Sequence, residues 1–203
     1  MNNSLKLFPE NTLTYGEYVR KVDDLVNKKA TSGTNQSESL VNYTHLNFRR
    51  MTRLNKTIVM DEELVRMVEA HGNKMIWFII TEAWCGDAAQ NLPFIAKLSE
   101  ASSNVELRLV YRDENLNFMD KYLTKGSRSI PKFIALDEAT GHELFVWGPR
   151  PIPVQKMVTE YKELLEHEKL PFDKFAEGIH SWYAKDKNET LKTELLHIFR
   201  SLD

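Results

Sequence analysis

A single cysteine, Cys85, stands among 203 residues, and that scarcity excludes more than any other feature of the chain. An internal disulfide, a dithiol redox pair within the chain and a zinc site built on several thiolates are all out of reach. Whatever Cys85 does, it does alone or with a partner molecule. Glycine (8) and proline (7) are also few, and no repeat or low-complexity tract appears. The longest uninterrupted apolar run, Met75 to Ile80, falls far short of the roughly 20 residues that cross a bilayer. Charge of one sign is lacking too: 27 Lys and Arg balance 29 Asp and Glu, for a formal net charge of −2. That balance offers no general attraction to nucleic acid or anionic lipid, and neither is expected as a partner. The first ten residues lack the apolar stretch and small-residue cleavage site of a secretory signal, so a cytoplasmic protein is expected.

What is present describes an ordinary globular chain, 42% apolar and 28% charged, with enough apolar side chains for a real core. The first sixty residues read as helical. Thr14 and Glu17 have capping-box spacing ahead of Tyr15, Tyr18, Val19, Val22, Leu25 and Val26. Ala30 to Ser39 is polar and reads as a loop. A second helical segment, Ser39 to Leu54, sets Val41, Thr44, Phe48 and Met51 on one side. Asp61 caps a short helix that Gly72 stops.

The pattern then changes. Met75 to Thr81 is a strand-length apolar run of the kind buried on both faces. Ala88 to Ser99 is helical, Val105 to Tyr111 alternates as a strand, and Asn115 to Leu123 predicts a short helix. Lys132 to Leu136 and Glu143 to Trp147 form a hairpin, followed by a helix over Val154 to His167. A stripe of Phe172, Phe175, Ala176, Ile179, Trp182 and Tyr183 predicts a helix docked by that face, or a dimer surface. Leu191, Leu195, Ile198, Phe199 and Leu202 form another stripe, with an interruption at Asp186 to Asn188. The expected fold is α/β: a mixed central sheet with helices on both sides. The expected organisation is an N-terminal helical extension (1–60), a central domain (61–169) and a C-terminal helical extension (170–203).

Chemistry concentrates at Thr81-Glu82-Ala83-Trp84-Cys85-Gly86-Asp87-Ala88, after the first central strand and before a helix, where open α/β sheets bind ligands. A cysteine at a helix N-terminus meets free N–H groups and a favourable dipole, both of which promote the nucleophilic thiolate. Asp87 opposes this: at about 6 Å and an effective dielectric near 20, its repulsion is roughly 2–3 kcal/mol before screening. The net direction of the Cys85 pKa shift is therefore open, and Asp87 is also placed to accept the Cys85 proton.

Residues from Met75 to about Glu168 resemble thioredoxin. Trp84-Cys85-Gly86 follows an apolar strand and opens a helix, as in that family's Trp-Cys-Gly-Pro-Cys. Pro93 falls at the helix proline, Ile130-Pro131 at the cis-proline loop, and Gly148 after the last strand. The resemblance implies a thioredoxin-like fold with Cys85 as the nucleophile; Asp87, where that family has proline, is the second catalytic candidate and is expected to modulate proton transfer. The resemblance makes Trp84, Gly86, Ile130 and Pro131 the substrate groove, with no metal or other cofactor. The departures are equally specific. Ala88 replaces the second cysteine, Asp87 the proline, and Ile79 the buried acid. The implied function is monothiol thiol–disulfide exchange, a mixed disulfide on Cys85 being resolved by an external thiol. The partners would be protein thiols and disulfides or a low-molecular-weight thiol. The alternative is a redox-inactive binding module using the same groove.

Blander readings accompany several of these residues. Glu82 and Asp87 are expected as solvated rim charges, and Trp84 as shielding. The basic cluster Arg49, Arg50, Arg53 and Lys56 is expected as a solvated or ion-paired face. The six histidines show no metal spacing, Glu163 and His167 included.

Overall fold

The computed structural model describes residue 9 and residues 11–202. The N-terminal decapeptide, read above for a leader sequence, lies outside the described residues except for Pro9. Four strands form one mixed sheet: β1 (Met75–Thr81), β2 (Val105–Tyr111), β3 (Lys132–Asp137) and β4 (Glu143–Trp147), in the order β2-β1-β3-β4. The apolar run of β1 is buried along its whole length because it is central, parallel to β2 and antiparallel to β3.

Alternation along β1 divides the core in two. Met75, Trp77 and Ile79 share the larger cluster with Tyr18, Met51, Leu64, Leu92 and Ile95. Leu191, Leu195 and Phe199 from the end of the chain belong to the same cluster. Both helical extensions are thus part of one hydrophobic core. Ile76, Phe78 and Ile80 face a smaller cluster with Phe118, Met119, Ala88 and Cys85. The result is an α/β protein with helices covering the sheet.

The helices are α1 (Tyr15–Asn27), α2 (Glu38–Thr57), α3 (Glu62–Ala70), α4 (Gly86–Glu100), α5 (Leu116–Met119), α6 (Ile152–Glu163), α7 (Phe172–Asp186) and α8 (Glu189–Arg200). Local chemistry explains their starts. The Thr14–Glu17 capping box is fully formed, and Asp61 accepts from the N–H groups of Glu63 and Leu64. Pro93 lies within α4. None of the described helices is long and apolar enough to cross a membrane.

Three expectations are corrected. The helix predicted over Asn115–Leu123 ends at Met119, because the chain turns back in a Thr124–Ser127 bridge with Lys125 and Gly126 at positive φ. The helix predicted to His167 ends at Glu163, with Leu164 extended; Glu168 then folds back to accept from Leu165 N–H. Phe172, placed in a buried stripe, is 63% exposed; the docked face of α7 is Ala176, Ile179 and Tyr183, packed with Val154 and Val158 of α6. The polar interruption is a break: Lys187 and Asn188 both take left-handed conformations between α7 and α8.

Candidate functional site

Cys85 is the N-cap of α4, and its sulfur accepts from Ala88 N–H at 3.5 Å. The thiol hydrogen is directed at the Ile130 carbonyl oxygen, with Sγ and O 3.4 Å apart. The residue is 6% exposed. Burial, with the Asp87 carboxylate adding to it, pushes the thiol pKa up to about 12. The two N–H groups at the helix start pull the other way and lose. The open direction of the shift is thereby decided by desolvation.

The turn from Glu82 to Cys85 is held from every side. Tyr18 of α1 donates to the Glu82 carbonyl at 3.3 Å. Asn47 of α2 donates to the Ala83 carbonyl at 3.0 Å, and Ala83 N–H donates to Ser32 Oγ at 2.8 Å. Glu82 is not a solvated rim charge: it is fully buried. Its carboxylate accepts from the Ser32 hydroxyl and from Asp113 N–H at 2.9 Å, and burial raises its pKa. A carboxylate can be this deep because its acceptor oxygens have partners.

Asp87 is likewise drawn inward, its side chain 12% exposed. Arg150, from the loop after β4, ion-pairs with it at 2.7 Å. Tyr183 of α7 donates to it at 2.9 Å, and Asn91 donates to the Tyr183 oxygen at 3.2 Å. Burial raises the Asp87 pKa, and Arg150 and Tyr183 oppose that rise. Arg50 of the basic cluster is not a solvated cation: it is half-buried, bonds to Asn47 at 3.1 Å and approaches Gly86. Arg49, Arg53 and Lys56 are exposed. A Cβ on Gly86 would lie 3.1 Å from His180 Cε1 and 3.7 Å from Arg50, so the helix start is in close contact with α7. His180, desolvated and beside Arg50, has its pKa lowered to about 4.

The Ile130–Pro131 peptide bond is cis. Gly148, at φ +105°, presses so closely on this loop that a Cβ there would meet the Pro131 oxygen at 2.5 Å. The Arg112 guanidinium lies 4.9 Å over the half-buried Trp84 ring. Trp84, Cys85, Gly86, Asp87 and Ile130 all line one cavity of about 660 Å³. Pro131, which is buried, is not among its lining residues. The opposite wall comes from α6 and α7, with Val158, Tyr161, Phe175 and Ile179. No group of three His, Cys, Asp or Glu among the described residues is placed to hold a metal.

Sequence reasoning gave Ser32, Asn47, Arg150 and His180 no role at the site, and placed Arg50 in a basic face and Tyr183 in a docking stripe. A polar Asn47 on the apolar face of α2 was a usable signal. Ser32 in a polar loop and Arg150 between prolines gave none, since their roles depend on tertiary approach.

A thioredoxin family profile matches residues 33–162. A crystal structure of a protein of unknown function from Pseudomonas aeruginosa is similar, with 16% identity and a TM-score of 0.56. The match covers 94% of this chain and 99% of that one. An HIV epitope-scaffold is similar at 17% identity and a TM-score of 0.54, over 93% of this chain and 99% of that one. At such identities these likenesses concern the fold alone. No curated protein matches the chain.

Proposed function

This chain belongs to the thioredoxin family, and from that premise we propose that it is a binding module of the fold, taking its ligand without covalent chemistry at Cys85. The observation that carries this reading is the state of the thiol. Its hydrogen is engaged by Ile130 O, and its pKa stands near 12. At neutral pH the thiolate fraction is then on the order of one part in a hundred thousand, and the thiolate is the species that attacks a disulfide. The cavity beside it is open, apolar on one wall and lined by Cys85 itself. Cys85 then serves as neutral wall surface, and Asp87, held by Arg150 and Tyr183, pins the helix start.

One observation favours a second reading, monothiol exchange: Ala88 N–H points at Sγ from a helix N-terminus, which stabilises a thiolate. On that reading the Cys85 thiolate attacks an external disulfide, releases one sulfur as a thiolate, and an external thiol later frees Cys85. Protein thiols and disulfides or a small thiol would be the partners.

The two are separated by the pH dependence of Cys85 alkylation, read with intact mass after exposure to an oxidised small thiol. The binding module predicts a rate that climbs without a plateau from pH 6 to about 10 and no adduct. A plateau near neutral pH with a stable adduct overturns it in favour of exchange.

A further inference from the structure

The walls and rim of the cavity beside Cys85 differ in chemistry. Five aromatic side chains line it: Tyr43, Trp84, Tyr161, Phe172 and Phe175. Tyr161 and Phe175 stack with ring centroids 3.9 Å apart and planes 9° from parallel. At about 660 Å³ the space lies within the range of roughly 300–1,000 Å³ that takes a small organic ligand. The charged lining is nearly of one sign: Arg112, Arg128, Arg150 and Lys162 against Asp87 alone. Arg150 is spent on Asp87. Arg112 and Arg128 lean on Asp113 and Asp120, carboxylates that do not line the cavity. Lys162, among the described residues, forms no ion pair.

We propose that this cavity binds a small aromatic anion, a ring system carrying one carboxylate or sulfonate group. The inference rests on the non-covalent reading of the site and names its ligand class. Ring faces and edges of the wall accept another ring in offset or edge-on contact. Aromatic walls alone would welcome an organic cation equally well. The cationic rim excludes that choice and selects the anion, since specificity comes from repulsion as well as attraction. The rings sit against Tyr161 and Phe175, and the anionic group faces Arg112, Arg128 and Lys162. Cys85 contributes a neutral thiol to the floor.

The test uses a matched pair of fluorescent probes on the full chain at low salt. 8-Anilinonaphthalene-1-sulfonate and N-phenyl-1-naphthylamine share their rings and differ in the sulfonate. The sulfonate is expected to bind at one site, at least about fivefold tighter than the neutral amine. Arg128→Glu with Lys162→Glu, both at exposed positions, lowers sulfonate affinity about fivefold or more and leaves the amine unchanged. Phe172→Asp at the exposed end of the wall weakens both probes. Equal affinity for the two probes, indifference to the charge reversal, or binding by neither overturns the proposal. Cys85 alkylation in the same samples keeps the two failures apart. A matched amine with an unreactive thiol removes the ligand class and leaves the binding module. A thiolate-like Cys85 removes the module whatever the probes do.

Discussion

Tyr183 donates its hydroxyl hydrogen to Asp87 at 2.9 Å across 96 positions of sequence, so a helix outside the family-matched segment completes the first turn of the helix that Cys85 caps. Asp87 is the point where three parts of the chain meet: α4 itself, the loop after β4 through Arg150, and α7 through Tyr183.

Breaking this meeting point from one side only should be costly. Arg150→Leu leaves a nearly buried carboxylate with Tyr183 as its remaining side-chain partner, and is expected to cost about 3–5 kcal/mol. Asp87→Asn with Arg150→Leu removes both charges and recovers much of that loss. Urea denaturation of the two variants and of Asp87→Asn alone gives the coupling. A double variant as unstable as Arg150→Leu would show that the pair is not the source of the cost.

Asp87 also bears on the sulfur. Burial is the first cause of the raised Cys85 pKa and Asp87 the second. Asp87→Asn removes only the second, so the alkylation profile of Cys85 should move toward lower pH by about one unit and stay well above neutral. A profile that does not move assigns the whole shift to desolvation; one that reaches neutrality assigns most of it to the carboxylate.

The central fold was legible because its signals are local. The apolar run of β1, the alternation of β2, the hairpin and the caps of α1 and α3 each depend on neighbours within a few residues. Cys85 at the start of α4 was legible for the same reason. Its ionisation was not, because the cluster that buries the sulfur includes Phe118, Met119, Ile130 and Ile134, which the chain brings in from afar. Glu82 makes the same point. A carboxylate two residues before Trp84 reads as a solvated rim group until Ser32 and the Asp113 N–H are seen to enclose it. Phe172 errs in the opposite sense: helical spacing placed it in the docked stripe, but it stands in the first turn of α7 and lines the cavity instead of the core.

Ser32 tests how much the polar loop matters. Its hydroxyl donates to Glu82 and accepts from Ala83 N–H, so Ser32→Ala leaves two buried groups short of a partner. A loss of about 2–4 kcal/mol is expected, from two such penalties. Glu82→Gln, which keeps an acceptor and removes the charge, should cost less. Thermal or urea unfolding of both variants checks the order. Ser32→Ala within about 0.5 kcal/mol of the parent, the range of an ordinary surface change, would mean that the loop carries no such role.

His180 supplies a pH dependence of defined sign. Its folded pKa is lowered to about 4 from an ordinary 6.5, by burial first and by Arg50 second. The charge acting on it is Arg50 of α2, whose own pKa burial lowers and which in turn feels Asp87 of α4. Between these two pKa values the unfolded chain binds a proton that the folded chain refuses, so stability present above pH 6.5 is lost progressively toward pH 4. His180→Gln keeps a polar side chain that does not titrate, and should flatten this part of the curve while leaving the losses common to all carboxylates. Urea midpoints of parent and variant at pH 7 and at pH 4.5 provide the comparison. The parent should lose more stability than the variant over that interval. An identical loss in both would show that the imidazole is protonated in the folded protein as readily as in the unfolded chain, and that α7 does not hold it away from water against Gly86.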